Sequence, residues 1–168
     1  KIPAQVFTQI YDPPASDGSG NIRRNLRMAL RILKGAGYKI KENKAISPRT
    51  GAAVKFEILL VSPAFERIAT PFVKNLSRLG IEANIRTVDQ SQYINRVRSF
   101  DFDMIVSTFG QSESPGNEQR DYWSSAAAER VGGRNVIGIK DPAIDALIEN
   151  VVNAKNRKSF ILSLIHIS

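Results

Sequence analysis

Apolar residues recur at helical spacing through Ile22, Leu26, Ala29, Leu30 and Leu33, while Arg23, Arg24, Arg27, Arg31 and Lys34 cover the other side. Residues 22–34 therefore predict an amphipathic helix with a basic outer face, ended by Gly35 or Gly37. The run VKFEILLV at 54–61 is β-branched and apolar, and predicts a buried strand. Ser62 and Pro63 then supply a cap and a first-turn proline. The helix they open carries Phe65, Ile68, Ala69, Phe72, Val73, Leu76 and Leu79 as its buried stripe, up to Gly80. Pro71 breaks this pattern, because it removes a backbone N–H; it predicts either a kink or a later helix start. Residues 81–88 alternate as a strand, and Asp89 with Gln92 three places on opens a helix carrying Tyr93, Ile94 and Val97. FDMIVSTF at 102–109 predicts a further strand, and Asp141-Pro142 starts a helix with Ile144, Leu147, Ile148, Val151 and Val152 on one face.

Between these elements, the Pro, Gly, Ser and Asp cluster at 11–21 reads as a loop, and 41–53 as an irregular or hairpin-like connection. The small, glycine-rich stretch 124–139 holds no regular pattern. Alternating strands and helices predict an α/β fold, a mixed sheet flanked by helices. The organisation expected is an irregular leading segment at 1–21, one folded lobe at 22–157, and a doubtful apolar tail at 158–168. That tail, ending SFILSLIHIS, either continues the last helix, forms an edge strand, or is a truncation or cloning scar.

A length of 168 residues with 42% apolar content suits one folded unit with a real core. The absence of cysteine excludes disulfides, thiolate nucleophiles and zinc-thiolate sites without fixing a compartment. The sequence, which starts at Lys1, shows no signal peptide, membrane-spanning run or lipidation motif. The excess of 24 Lys and Arg over 16 Asp and Glu gives +8, so nucleic acid and acidic membrane enter as partners to be weighed. Its spread over 22–44, Lys74, Arg78 and 155–158, without interleaved aromatics, reads instead as solvated helix faces. Catalytic chemistry finds little support. The single histidine, His166, lies in the tail, and no Gly-x-Ser-x-Gly elbow or phosphate-cradling loop occurs. Asp101 and Asp103 read as surface acids where a strand begins. No catalytic residue, metal ligand or cofactor is assigned.

The chemistry concentrates in STFGQSESPGNEQRDYWSS at 107–125, a polar, glycine-containing loop that follows an apolar strand and holds the sole tryptophan. In an open α/β sheet, ligands sit beyond the carboxyl ends of strands, which makes this loop the site candidate. Ser62 offers a second strand-to-helix turn, though its role as a helix cap is the stronger reading.

The stretch FEILLVSPAFERIATPFVKNLSRLGIEANIRTVDQSQYINRVRSFDFDMIV, followed by FGQSESPGNEQRDYWSSAAA and GIKDPAIDALIENVV, resembles the C-terminal part of ABC-transporter solute-binding proteins of the oligopeptide/dipeptide/nickel class (family 5), its peptide-binding branch above all. The resemblance implies part of one lobe of a type II periplasmic-binding-protein-like fold, a periplasmic or otherwise extracytoplasmic location, and no enzymatic activity. It also implies a peptide or peptide-like solute, a partner membrane permease, and a missing N-terminal lobe that closes on the solute with this one. A peptide site needs backbone donors and acceptors with a charge near each terminus. Gly110, Gln111, Ser112 and Ser114 suit the first need, Arg120 suits a carboxylate, Glu113 suits an amino end, and Phe109 is counted with them among the ligand-binding residues. Trp123 reads as packing more readily than as a wall of the site, and 114–117 is also ordinary turn chemistry. The rival reading from another class is a basic nucleic-acid-binding or regulatory α/β module, motivated by the charge and the arginine-rich helix.

Overall fold

The computed structural model describes residues 14–112 and 114–165. One unit holds the described residues up to Ile94 together with Phe102–Val106; a second holds Asn95–Asp101 and the described residues from Ser107 onward.

In the first unit, helix α1 (Arg23–Gly35) ends at Gly37, whose φ of 87° lets the Tyr38 and Gly37 N–H groups reach back to the carbonyls of Leu33 and Lys34. Gly37, not Gly35, is therefore the stop. The connection after it is a true hairpin: strands β1 (Lys39–Lys41) and β2 (Lys44–Ile46) pair antiparallel. Its two turn residues, Glu42 (φ 49°) and Asn43 (φ 59°), both take the left-handed conformation that a two-residue turn demands. Gly80 lets the hairpin close onto the next element. It has φ 78°, a Cβ there would stand 2.7 Å from the Ala45 nitrogen, and its carbonyl accepts the Ala45 N–H at 2.8 Å.

Strand β3 (Lys55–Leu60) is the middle of a three-stranded parallel sheet, between β4 (Glu82–Thr87) and β5 (Met104–Ile105). Ile58 and Leu60 join Ala69 in a core that Phe56, Val73 and Ile85 close over, while Leu59, on the opposite face, is 0% exposed. A central parallel strand is buried on both faces, which explains the unbroken ILL run. The α/β expectation is met, with the parallel pairs in the open sheet and the antiparallel pair in the hairpin.

After β3, the Ser62 hydroxyl accepts the Ala64 N–H, a single 3-10 turn spans Pro63–Phe65, and helix α2 (Glu66–Ser77) follows. The helix thus starts later than Pro63, and Pro71 lies in its second turn. The buried stripe is narrower than predicted: Ala69 is covered, but Phe65, Ile68 and Phe72 are 40%, 61% and 45% exposed. Those three lie on one flank of the apolar arc, beyond the face turned to the sheet. Asp89 caps α3 (Gln90–Arg98) as expected, its carboxylate accepting the Gln92 N–H at 2.9 Å.

The predicted strand at 102–109 pairs only over Met104 and Ile105. Side chains supply the bonds at its ends. The Asp103 carboxylate accepts the Glu57 N–H at 2.9 Å, and the Tyr93 hydroxyl donates to the Val106 carbonyl at 3.0 Å. Asp103 is an exposed acid where the strand begins, as expected, and also docks that strand to β3.

The second unit comprises α4 (Glu118–Trp123), a 3-10 turn at Ser125–Ala127, α5 (Pro142–Val152) and α6 (Arg157–Leu164). Asp141 caps α5 by accepting the Ala143 N–H at 2.7 Å. Leu147, Ile148 and Val151 of the predicted α5 face are buried, with Tyr122, Ala127 and Ala128. Most of the apolar tail forms α6, a separate helix capped by Asn156; His166 lies outside the described residues. Among the described residues, no helix is long and apolar enough to cross a membrane.

Candidate functional site

Gly110 to Ser112 are exposed, and the segment then turns through 114–117 into α4. Pro115 is buried, the Gly116 N–H donates to the Glu118 carboxylate at 2.9 Å, and the Gln119 and Arg120 N–H groups close the first turn on Gly116 and Asn117. The Gly116 N–H chiefly holds the Glu118 carboxyl below its usual range. The turn-chemistry reading of 114–117 thus accounts for this stretch, which serves to aim α4. Ser114 is exposed, and Glu113 lies outside the described residues.

Aromatic packing and a polar chain together fix the loop before the turn. Phe109 meets the Tyr122 ring edge-on at 5.6 Å and the Trp123 ring, tilted, at 4.6 Å. The Tyr122 hydroxyl donates to the Gly110 carbonyl at 3.1 Å and accepts from Arg134, whose guanidinium also lies 5.5 Å over the Tyr122 ring. Trp123 is thus packing, as its lone occurrence suggested, but its indole also starts a relay. Trp123 Nε1 donates to Gln119 Oε1 at 3.0 Å, and Gln119 Nε2 donates to Gln111 Oε1 at 2.6 Å. Gln119 is 1% exposed.

The direction of this relay follows from chemistry alone. An indole nitrogen only donates, so Gln119 must turn its oxygen to Trp123 and its amide nitrogen to Gln111. Gln111 must then offer its oxygen inward, which leaves its two amide N–H groups outward on an exposed residue. A buried network in one fixed sense is presenting a pair of hydrogen-bond donors.

Gly110 stands beside them, and a Cβ built on it would meet nothing within 4 Å. Packing does not require glycine there.

Arg120, predicted to hold a solute carboxylate, holds an internal one. Its Nε and Nη2 bond the two Glu149 oxygens at 2.7 Å each, and Nη1 bonds Asn117. This bidentate pair clamps α4 to α5, lowers the Glu149 carboxyl and raises the guanidinium. Asn135 is 0% exposed. Its amide nitrogen donates to the Ser124 and Ile139 carbonyls and its oxygen accepts the Ile139 N–H, each at 3.0 Å, stapling the glycine-rich stretch behind the site.

Of the predicted site residues, the structure brings together Phe109, Gly110, Gln111 and Trp123, leaves Ser112 and Ser114 exposed nearby in sequence, and commits Arg120 to Glu149. Sequence reasoning missed Gln119, Arg134, Asn135 and Glu149. Gln119 and Trp123 are four apart on a helix, a spacing that brings side chains together and could have revealed the pair. Nothing in the local pattern marks the other three. No group of three His, Asp or Glu residues among the described residues could hold a metal ion.

Residues 1–130 match the family model described as bacterial extracellular solute-binding proteins, family 5 Middle. The chain is 51% identical over 95% of its length to the uncharacterized protein y4wM of Sinorhizobium fredii, covering 24% of that protein. It is 46% identical over 94% of its length to the probable peptide-binding protein YejA of Agrobacterium fabrum, covering 26% of it. It spans about a quarter of the length of these curated relatives. In structure it is similar to the oligopeptide-binding protein AppA of Bacillus subtilis, solved with a nonapeptide, with a TM-score of 0.71 and 23% identity, over 84% of this chain and 28% of that one. At that identity the likeness is one of fold, and the fold is type II periplasmic-binding-protein-like. YejA and AppA are binding proteins by name, in agreement with the expectation of a binding protein rather than an enzyme.

Proposed function

This chain belongs to the bacterial extracellular solute-binding proteins of family 5, and from that premise we propose that it forms part of a receptor for peptides or peptide-like solutes. The receptor acts in the periplasm, closes two lobes on its solute and hands it to an ABC-transporter permease in the membrane. The observation that carries the reading is the polarised relay from Trp123 through Gln119 to Gln111. Two fixed donors suit the carbonyl oxygens of an extended peptide, and they suit any sequence, because every peptide unit offers a carbonyl. The bare Gly110 beside them lets a solute backbone come close, and Ser112 adds a hydroxyl that donates or accepts. Arg120 is a positioning residue that holds α4, and through it Gln119, by way of Glu149. The peptide-binding names of the relative YejA and of AppA support the solute class.

The test is calorimetric titration of the intact protein with a library of short peptides. The expected result is binding that Gln111→Ala weakens about tenfold, the usual scale for one hydrogen bond to an uncharged partner. Gln119→Glu is the sharper variant. An ionised carboxylate accepts from Trp123 and cannot donate, so Gln111 must flip and present its oxygen outward. Peptide affinity should then fall at least as far as in Gln111→Ala. Unchanged affinity in both variants overturns this site.

A further inference from the structure

The helix α1 carries five cations and no acid in thirteen residues, RRNLRMALRILKG. At 3.6 residues per turn, Arg23, Arg24, Arg27, Arg31 and Lys34 all fall within an arc of about 100°, along a helix about 20 Å long. All five are exposed, and among the described residues none is in an ion pair. Asp17, in the loop before α1, accepts the Ser19 N–H and hydroxyl and makes no ion pair with these cations among the described residues. Arg130 and Lys140 are paired with Asp121 and Glu129, whereas the cations of this face have no acid partner among the described residues.

The composition of the arc selects its partner. Four of the five cations are arginines, whose flat forked guanidinium matches the oxygens of a phosphate. A single-stranded nucleic acid would call for stacking aromatics, and α1 has none. We propose that the cationic face of α1 docks on an anionic phospholipid surface, holding this extracellular protein against the membrane. The proposal stands apart from the solute site and survives its failure.

Co-sedimentation of the intact protein with phosphatidylglycerol vesicles and with phosphatidylcholine vesicles tests it. The expected result is retention on phosphatidylglycerol alone, lost as salt is raised. Combined Arg24→Glu, Arg27→Glu and Arg31→Glu should lower the partition at least about tenfold, as removal of three surface cations implies. The neutral set Arg24→Gln, Arg27→Gln and Arg31→Gln should give the same direction of change, and matching melting curves show that the fold is intact. Reversal of three exposed cations elsewhere, Arg49→Glu, Lys55→Glu and Arg67→Glu, makes the same change in net charge and should leave most of the binding. Equal loss in that control, or no retention of the unaltered protein at low salt, overturns the proposal. So does retention on polyglutamate resin but not on vesicles, which would assign the arc to an acidic protein instead.

Discussion

The first unit is held together by what alternates along the chain, and the second by what does not. Around β3, six consecutive backbone pairs with β4 and a core of Ile58, Leu60 and Ala69 do most of the ordering. Around α4 and α5, much of the order comes from side chains bonding to one another or to backbone: Gln119 between Trp123 and Gln111, Arg120 on Glu149, Asn135 between Ser124 and Ile139. An apolar core tolerates a change of residue if volume is kept, whereas a polar staple depends on the identity of each donor and acceptor. The first unit is therefore the more tolerant of substitution and the second the more exacting.

The largest expected effect breaks the first half of that comparison. Leu60 is 1% exposed in the centre of the sheet, so Leu60→Ala should remove about 2–5 kcal/mol through lost burial and the cavity left behind. Urea unfolding of the intact protein measures it. A loss well below that range would show that the sheet core is less decisive than its burial implies.

Asn135→Ala tests the other half. It leaves two carbonyls and an N–H in a buried place without their partner, and should cost about 1–3 kcal/mol by the same measurement. Asn135→Asp should not rescue it, because a carboxylate accepts the Ile139 N–H but cannot donate to the two carbonyls. Rescue by Asp would mean that the amide nitrogen is idle, and that polar identity matters less here than the comparison claims.

These two residues also show what the sequence disclosed. Leu60 sat in an apolar run whose period and length named its strand, and the caps at Ser62, Asp89 and Asp141 were visible because a cap is local in sequence. Asn135 sat in a stretch without pattern, and its partners lie eleven and four residues away on irregular backbone. The same contrast runs through the site. The loop was legible from its composition, and Phe109, Gly110, Gln111 and Trp123 do come together. The fate of Arg120 was not legible, since its partner Glu149 is twenty-nine residues on and equally suited to solvent. Strand β5 misled for a related reason: its largely apolar stretch of eight residues predicted a ladder, but Asp103 and Tyr93 took over the bonds at its ends.

The smallest effect concerns that clamp, and it is visible only against pH. The Arg120 pair holds the Glu149 carboxyl below its usual range. A carboxyl depressed in the folded state adds stability that is present above its unfolded value, about 4.3, and is lost as pH falls through the lower folded value. Glu149→Gln should therefore narrow the gap in melting temperature between neutral and acidic solution. It will not abolish the gap, because Glu118, under the Gly116 N–H, and Glu129, beside Lys140, are lowered as well and titrate over the same acid range. Asn135→Ala, which removes no titrating group, should shift the whole curve down and leave its slope alone. An identical acid slope in the unaltered protein and in Glu149→Gln would mean that the clamp adds nothing to the second unit, whose order would then rest on its buried staples alone.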